Sequence, residues 1–168
     1  MNKVIKYGRL PRKNQEKALQ KQKEELMQFA KERDYEIAET GILTRKTEET
    51  EKLHGMFIDE GTYKKEIIDN KNSFITMLDE AKYGEFNQIL IEDTSIFVKC
   101  GVFNIDNRIL GFNPMELIED LRVHKVNVHF MKENLDTIDN SNNMILSILF
   151  HTAEFEIIEG IKRHKRNQ

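Results

Sequence analysis

A tyrosine, an arginine and a glutamine stand close together near the start of the chain, in Tyr7-Gly8-Arg9-Leu10-Pro11-Arg12-Lys13-Asn14-Gln15. The run before them, Val4 to Tyr7, reads as a strand, and a helix is predicted from Asn14, a residue suited to cap one. Tyr7, Arg9 and Gln15 therefore fall where a strand ends and a helix begins. In open α/β folds sites collect there, because helix N-terminal amides point at anions. The chemistry this implies is anion binding.

A second group is acidic. Asp59, Glu60, Glu92 and Asp93 close two further strand-like runs. Carboxylates so placed can hold magnesium in a nuclease; they are also the ordinary solvated ends of strands. The histidines (His54, His124, His129, His151, His164) show no HxxxH or His/Cys spacing, so zinc is not expected; with the acidic group read as ordinary strand ends, no metal and no cofactor is expected. Cys100 is the single cysteine and reads as an ordinary thiol. No internal disulfide is possible, and a reducing, cytoplasmic setting is expected.

The elements that must position these residues alternate. A strong helix spans Asn14 to Arg33, with Leu19, Leu26, Phe29 and Ala30 on one face. Tyr35 to Thr40 reads as a strand. Gly41 to Gly55, with Thr44, Thr47 and Thr50, reads as a long loop or hairpin excursion. Met56 to Asp59 is extended, and Thr62 to Asn70 is irregular. Asn72 or Ser73 is expected to cap a helix that runs to Lys82 and stops at Gly84. Ile89-Leu90-Ile91 is the clearest buried strand, within Gln88 to Glu92. Gly101 to Asn113 reads as irregular, Pro114 as the first residue of a helix through Lys125, Val126 to Met131 as a strand, and Leu135 to Asn140 as a turn. Ser141 or Asn142 is expected to cap a final helix over about 141–164. The class is α/β, with a mostly parallel central sheet flanked by helices.

At 168 residues the chain suits one domain with a real core. No run approaches the length needed to cross a membrane, and there is no apolar run of signal-peptide type at the start, so no membrane partner is expected. The formal net charge is −3. Dedicated nucleic-acid binders are usually basic, so this charge speaks against tight DNA binding by this chain alone.

The final helix is unusual. Met144, Ile145, Leu146, Ile148, Leu149 and Phe150 are interrupted only by Ser147. A helix apolar on nearly every side is buried on every side, which calls for a second cover, most simply a second copy of the chain. The run Lys162, Arg163, His164, Lys165, Arg166 either contacts DNA phosphate or is a solvated end whose charge suits a helix C-terminus.

Taken together, these residues resemble the catalytic domain of serine recombinases of the resolvase/invertase family. That family begins Tyr-x-Arg-x-Ser, with a glutamine four residues on; Tyr7, Arg9 and Gln15 match, and Pro11 stands at the nucleophilic serine. Leu19 and Gln22 fit its first helix. Asp59-Glu60-Gly61 match its Asp-Glu-Gly-x-Ser-Gly, although Tyr63 and Lys64 replace the last two residues. Lys71 stands at an arginine three residues before Phe74. Met77-Leu78, Ala81 and Gly84 resemble the next helix and turn, and Ile89 to Asp93 the central strand. Ser95-Ile96-Phe97-Val98-Lys99 aligns with Ser/Asp-Arg-x-x-Arg. Glu133 with Asp136-Thr137 resembles Glu-x-x-Asp-Thr, and Ala153-Glu154-Phe155-Glu156 resembles Ala-Gln-x-Glu.

The resemblance implies a resolvase-like fold over 1–168, no DNA-reading domain beyond it, and a dimer contact on the long helix. It also implies a damaged site. In the family a serine attacks a DNA phosphodiester while arginines neutralise charge on the phosphoryl oxygens. Pro11 has no nucleophile, Ile96 removes an arginine, and Lys71 and Lys99 keep charge without the two-pronged geometry. The remnant site is then Tyr7, Arg9, Pro11, Gln15, Lys71, Ser95, Ile96, Lys99 and Glu156, none of it an intact catalytic set. Arg9, Lys99, Lys162, Arg163, Lys165 and Arg166 are the candidate phosphate contacts. The expected protein is a pseudo-recombinase: a non-catalytic interaction or regulatory protein of a mobile element or prophage. It would pair with itself, as a homodimer or higher, through the final helix, or with an intact serine recombinase or another protein, and bind DNA weakly. The alternatives are a recombinase or nuclease domain with residual phosphodiester chemistry, and a DNA-binding accessory or transcriptional regulator.

Overall fold

The computed structural model describes residues 2–45, 49–60, 73–105, 108–111 and 113–168, with the backbone alone for 101–105 and 108–111. The first strand is the hub. β1 (Lys3–Leu10) pairs in parallel with β2 (Glu36–Ile37), β5 (Met56–Glu60) and β6 (Gln88–Ile91). β6 pairs in parallel with β9 (Asn127–Phe130), and β3 (Ile42–Thr44) in parallel with β5. Two antiparallel edges close the eight-stranded sheet: β4 (Thr50–Lys52) on β3, and β10 (Leu135–Asp136) on β9. The long loop or hairpin excursion read at 41–55 is thus the β3–β4 hairpin. The turn expected at 135–140 begins with a strand, because Leu135 and Asp136 align opposite Phe130 and His129. The stretch 101–113, expected to be irregular, contains a separate hairpin of β7 (Val102–Ile105) and β8 (Arg108–Gly111). The irregular stretch 62–70, the alternative cap Asn72 and the candidate Lys71 lie outside the described residues.

Alternation along β1 sets the two faces. Val4 and Leu10 pack with Leu26, Phe29 and Ala30 of α1 (Gln15–Arg33). Ile5 and Tyr7 face the other layer, made of α2 (Ser73–Lys82), α3 (Thr94–Gly101), α4 (Pro114–Val123) and α5 (Asn143–Arg166). An aromatic chain ties that layer together. Tyr7 meets Phe74 edge-on at 5.0 Å between ring centres, Phe74 meets Phe97 at 6.1 Å, and Phe97 stacks on Phe150 at 5.6 Å.

The helix ends differ from expectation in instructive ways. Asn14 sits before α1 in the left-handed region, φ 56°, and its side chain makes no capping bond. Asn113 does cap α4, its Oδ1 accepting from the Met115 and Glu116 amides, and Pro114 opens that helix as predicted. Gly84 follows α2 at φ 80°, a conformation that favours glycine. Gly8 has a different constraint. The Gln22 amide crosses over it to donate to the Arg9 carbonyl at 3.0 Å, leaving no room for a Cβ. A 3-10 turn, Asn140–Asn142, capped by Asp139, leads into α5.

α5 packs on α3 through one face only. Leu146, Phe150 and Ala153 are buried, whereas Met144 is 76% and Phe155 65% exposed, with Ile145 and Ile148 also in solvent. Leu146 and Phe150, expected among the residues that need a second cover, are therefore core residues. Phe97 and Phe130 take up Phe150, and Leu146, one turn earlier, joins the same core cluster.

Candidate functional site

β1, β5 and β6 run in the same direction, so their carboxyl ends share one edge, and the N-termini of α1, α2 and α3 follow from it. Tyr7 and Arg9 lie two residues apart on β1 and so point to the same side. Arg9 is in register with Asp59 of β5. The Tyr7 hydroxyl donates to Asp59 Oδ2 at 2.8 Å, and the Cys100 thiol donates to that hydroxyl at 3.3 Å. Asp59 also accepts from the Ser73 amide at 2.7 Å and the Phe74 amide at 3.3 Å, so it caps α2 from a neighbouring strand. Ser73 was a candidate for that cap. Its Oγ instead donates to the Ile58 carbonyl at 2.8 Å and lies 2.8 Å from Thr44 Oγ1.

This cluster is sealed. Tyr7, Ser73 and Cys100 are at most 1% exposed and Asp59 is 5% exposed. Burial pushes the Tyr7 phenol well above its usual range, and the neighbouring Cys100 and Asp59 add to that, against Arg9. Burial likewise pushes the Cys100 thiol up to about 11, with the Arg9 guanidinium pulling the other way. Both groups hold their protons at neutral pH. The thiolate is the nucleophilic form of cysteine, so Cys100 is poorly placed to attack anything.

Around this cluster lie the other expected residues. Pro11 is exposed, after the end of β1. Gln15 donates to Glu60 Oε1 at 2.8 Å and accepts from Arg45 at 3.5 Å, while Arg45 pairs with Glu51 at 3.1 Å. At the start of α3, Asp93 Oδ1 accepts from the Ser95 hydroxyl at 2.6 Å and the Ile96 amide at 2.9 Å. Glu133 Oε1 takes both the amide and the hydroxyl of Thr94. Ser95 and Ile96 thus belong to a helix start, and Lys99 is one turn further along.

Two groups stand apart. Glu156 is exposed on α5. Lys162, Arg163, Lys165 and Arg166 are exposed at its far end, with Lys162 paired to Glu159 at 3.6 Å. Among the acidic candidates, Asp59 and Asp93 are each spent on a different helix and Glu60 on Gln15. Among the described residues no three of His, Cys, Asp and Glu gather as a metal site. Arg45 and the Cys100–Tyr7 bond were not foreseen. Nothing in the spacing marks the Arg45–Gln15 or Cys100–Tyr7 contact, since each crosses between elements far apart in sequence.

A mostly parallel sheet centred on its first strand, with helices on both faces and a long final helix, is the fold of a resolvase-type recombinase catalytic domain. The chain is similar over 92% of its length to 96% of the N-terminal catalytic domain of TP901-1 integrase, with a TM-score of 0.56 and 15% identity. It is similar over 99% of its length to 95% of a resolvase family site-specific recombinase from Streptococcus pneumoniae, with a TM-score of 0.56 and 19% identity. Likeness at these identities establishes the fold. No protein-family model matches the chain, and no curated protein does. No helix among the described residues is long and apolar enough to cross a membrane.

Proposed function

We propose that this chain is a resolvase-fold domain without the covalent chemistry of a recombinase, acting in DNA recombination or on a mobile element by associating with other macromolecules. The observation that carries this reading is Pro11. It occupies the turn between β1 and α1, at the position the resemblance assigns to the nucleophilic serine, and its ring has no group able to attack phosphorus. Three further features support it. Ile96, in the first turn of α3, brings no positive charge to a developing phosphorane. Tyr7 and Asp59 are committed to a buried bond and a helix cap. The alternative hydroxyls of Ser95 and Ser73 are bonded to Asp93 and to the Ile58 carbonyl, each at a different helix start.

Association is assigned to the outward stripe of α5, Met144, Ile145, Ile148 and Phe155. Soluble monomers rarely leave such a patch in water. The partner is a second copy or a related recombinase, and a mixed pair would carry one working nucleophile. A second reading, a DNA-binding accessory factor, is favoured by the exposed basic end of α5.

The test is incubation with supercoiled plasmid, followed by denaturing electrophoresis. No nicked circle and no protein-linked DNA is expected. A covalent serine–phosphate adduct at any residue overturns the proposal.

A further inference from the structure

α2 and α4 contribute to the same core, through Met77, Leu78 and Ala81 on one side and Ile118 and Leu121 on the other. Between their outer faces lies a groove of about 430 Å³. Its floor is apolar: Leu78 and Leu121 are buried, and Ile75 and Leu117 half-buried. Residues three, four and seven apart lie on one helix face, so Ile75, Leu78 and Lys82 form one wall and Leu117 and Leu121 the other. The α2 wall, from Ile75 to Lys82, is about 10 Å long, or two helical turns.

The rim is acidic. Asp79, Glu116 and Asp120 stand over the apolar floor, and Lys82 is the one cation among the described residues lining the groove. Lys82 is already matched to Asp120 at 3.7 Å. Among the described residues no cation lies within ion-pair distance of Asp79 or Glu116. A neutral or acidic occupant would take those two carboxylates out of water with nothing in return. Such desolvation is unfavourable unless the partner supplies the opposite charge. Apolar anchors about one turn apart along each wall, flanked by carboxylates, form a seat for a basic amphipathic helix laid into the groove.

We infer that the α2–α4 groove is a docking site for a basic amphipathic helix of another protein, with its apolar side chains on Ile75, Leu78, Leu117 and Leu121 and its Lys or Arg side chains against Asp79 and Glu116. The site lies apart from the strand-end cluster and does not depend on whether that cluster has lost its chemistry.

The experiment uses the full chain and two synthetic peptides of about 14 residues, a length needed for a marginal helix. Both carry leucine at i, i+3, i+4 and i+7; one has lysine at the remaining positions and the other glutamate. Binding is read by fluorescence anisotropy and by methyl NMR of isoleucine and leucine. The lysine peptide is expected to shift the methyl signals of Ile75, Leu78, Leu117 and Leu121 and to bind at least about tenfold more tightly than the glutamate peptide. The double variant D79N/E116Q alters only exposed side chains. It is expected to keep the fold by circular dichroism and to lose about tenfold in affinity for the lysine peptide. Equal binding of the two peptides, binding that shifts methyls elsewhere, unchanged affinity in the double variant, or no binding each overturns the inference. So does occupation of the groove by a second copy of the chain in the peptide-free protein, seen as concentration-dependent shifts of the same methyls.

Discussion

The Tyr7 hydroxyl donates to Asp59 Oδ2 at 2.8 Å, from the central strand of the sheet to the carboxylate that caps α2. One buried carboxylate therefore joins β1, β5 and a helix N-terminus, and this is a structural role. Removing either partner has unequal consequences. Tyr7→Phe deletes the bond to Asp59 and the weak acceptor of the Cys100 thiol but leaves Asp59 with two backbone donors, a loss of about 1.5–3 kcal/mol. Asp59→Ala strands the hydroxyl and both amides of α2, and is expected to lose more, about 3–5 kcal/mol. Urea denaturation measures both. A Tyr7→Phe loss equal to that of Asp59→Ala would show that the cap contributes nothing.

Restoring the nucleophile alone is expected to fail. Pro11→Ser places a hydroxyl after β1, but Ile96 still stands where the resemblance puts an arginine. A transition-state arginine is worth roughly 10³ to 10⁵ in rate. Lys71 and Lys99 also lack the planar fork that matches phosphate oxygens. Plasmid incubated with P11S should therefore stay supercoiled and free of protein, and an adduct from this single change would refute the account.

The two sides of α5 should respond oppositely to charge. Ile148→Glu falls in solvent and should leave the circular dichroism spectrum and denaturation midpoint nearly unchanged while splitting any dimer. Leu146→Glu and Phe150→Glu put a carboxylate into the core beside Phe97 and Phe130, costing about 3–5 kcal/mol or the fold itself. Analytical ultracentrifugation at tens of micromolar separates these outcomes. A wild-type monomer at that concentration would sink the proposed self-association.

Stability is expected to fall on the alkaline side. The Cys100 thiol titrates at 9.0 when unperturbed and at about 11 in the folded chain, and the Tyr7 phenol is raised as well. The folded state therefore keeps protons that the unfolded chain releases. That contribution is full below pH 9 and is lost as pH rises through about 11. Lys6 acts in the opposite sense. Its burial lowers its pKa below 10.5 despite the Glu25 partner, so its unfavourable contribution fades as pH rises. Unfolding free energies of wild type, Cys100→Ala and Lys6→Met across this range separate the two. Cys100→Ala should flatten the decline and Lys6→Met should steepen it.

DNA binding, where measured, should be weak and steep in salt. Each phosphate neutralised adds about 0.9 to the magnitude of the log–log slope. Replacing Lys162, Arg163, Lys165 and Arg166 together with glutamine should reduce the slope by at most about 3.6. A slope unchanged by that replacement would place the contact elsewhere, and tight, sequence-selective binding at physiological salt would contradict the weak-binding expectation.

The sequence by itself determined the α/β alternation, because period-3.6 and continuous apolar runs such as Leu26–Phe29–Ala30 and Ile89-Leu90-Ile91 are local signals. It also located Tyr7, Arg9 and Pro11 at a strand end, and the helix start at Pro114, since each depends on neighbours within a few positions; that Asn113 caps this helix was not read from it. Tertiary structure decided what depends on partners far along the chain. The β3–β4 and β9–β10 pairings need an opposing strand to satisfy their backbone groups, and two- or three-residue strands carry too little periodicity to announce it. The α2 cap comes from Asp59, 14 residues away, not from the helix's own start. Most telling is α5. A helix apolar on every side demands burial, but nothing in its own residues says which side the protein covers. The placement of Phe97 and Phe130 chose Leu146 and Phe150 for the core and left Met144, Ile145, Ile148 and Phe155 facing outward.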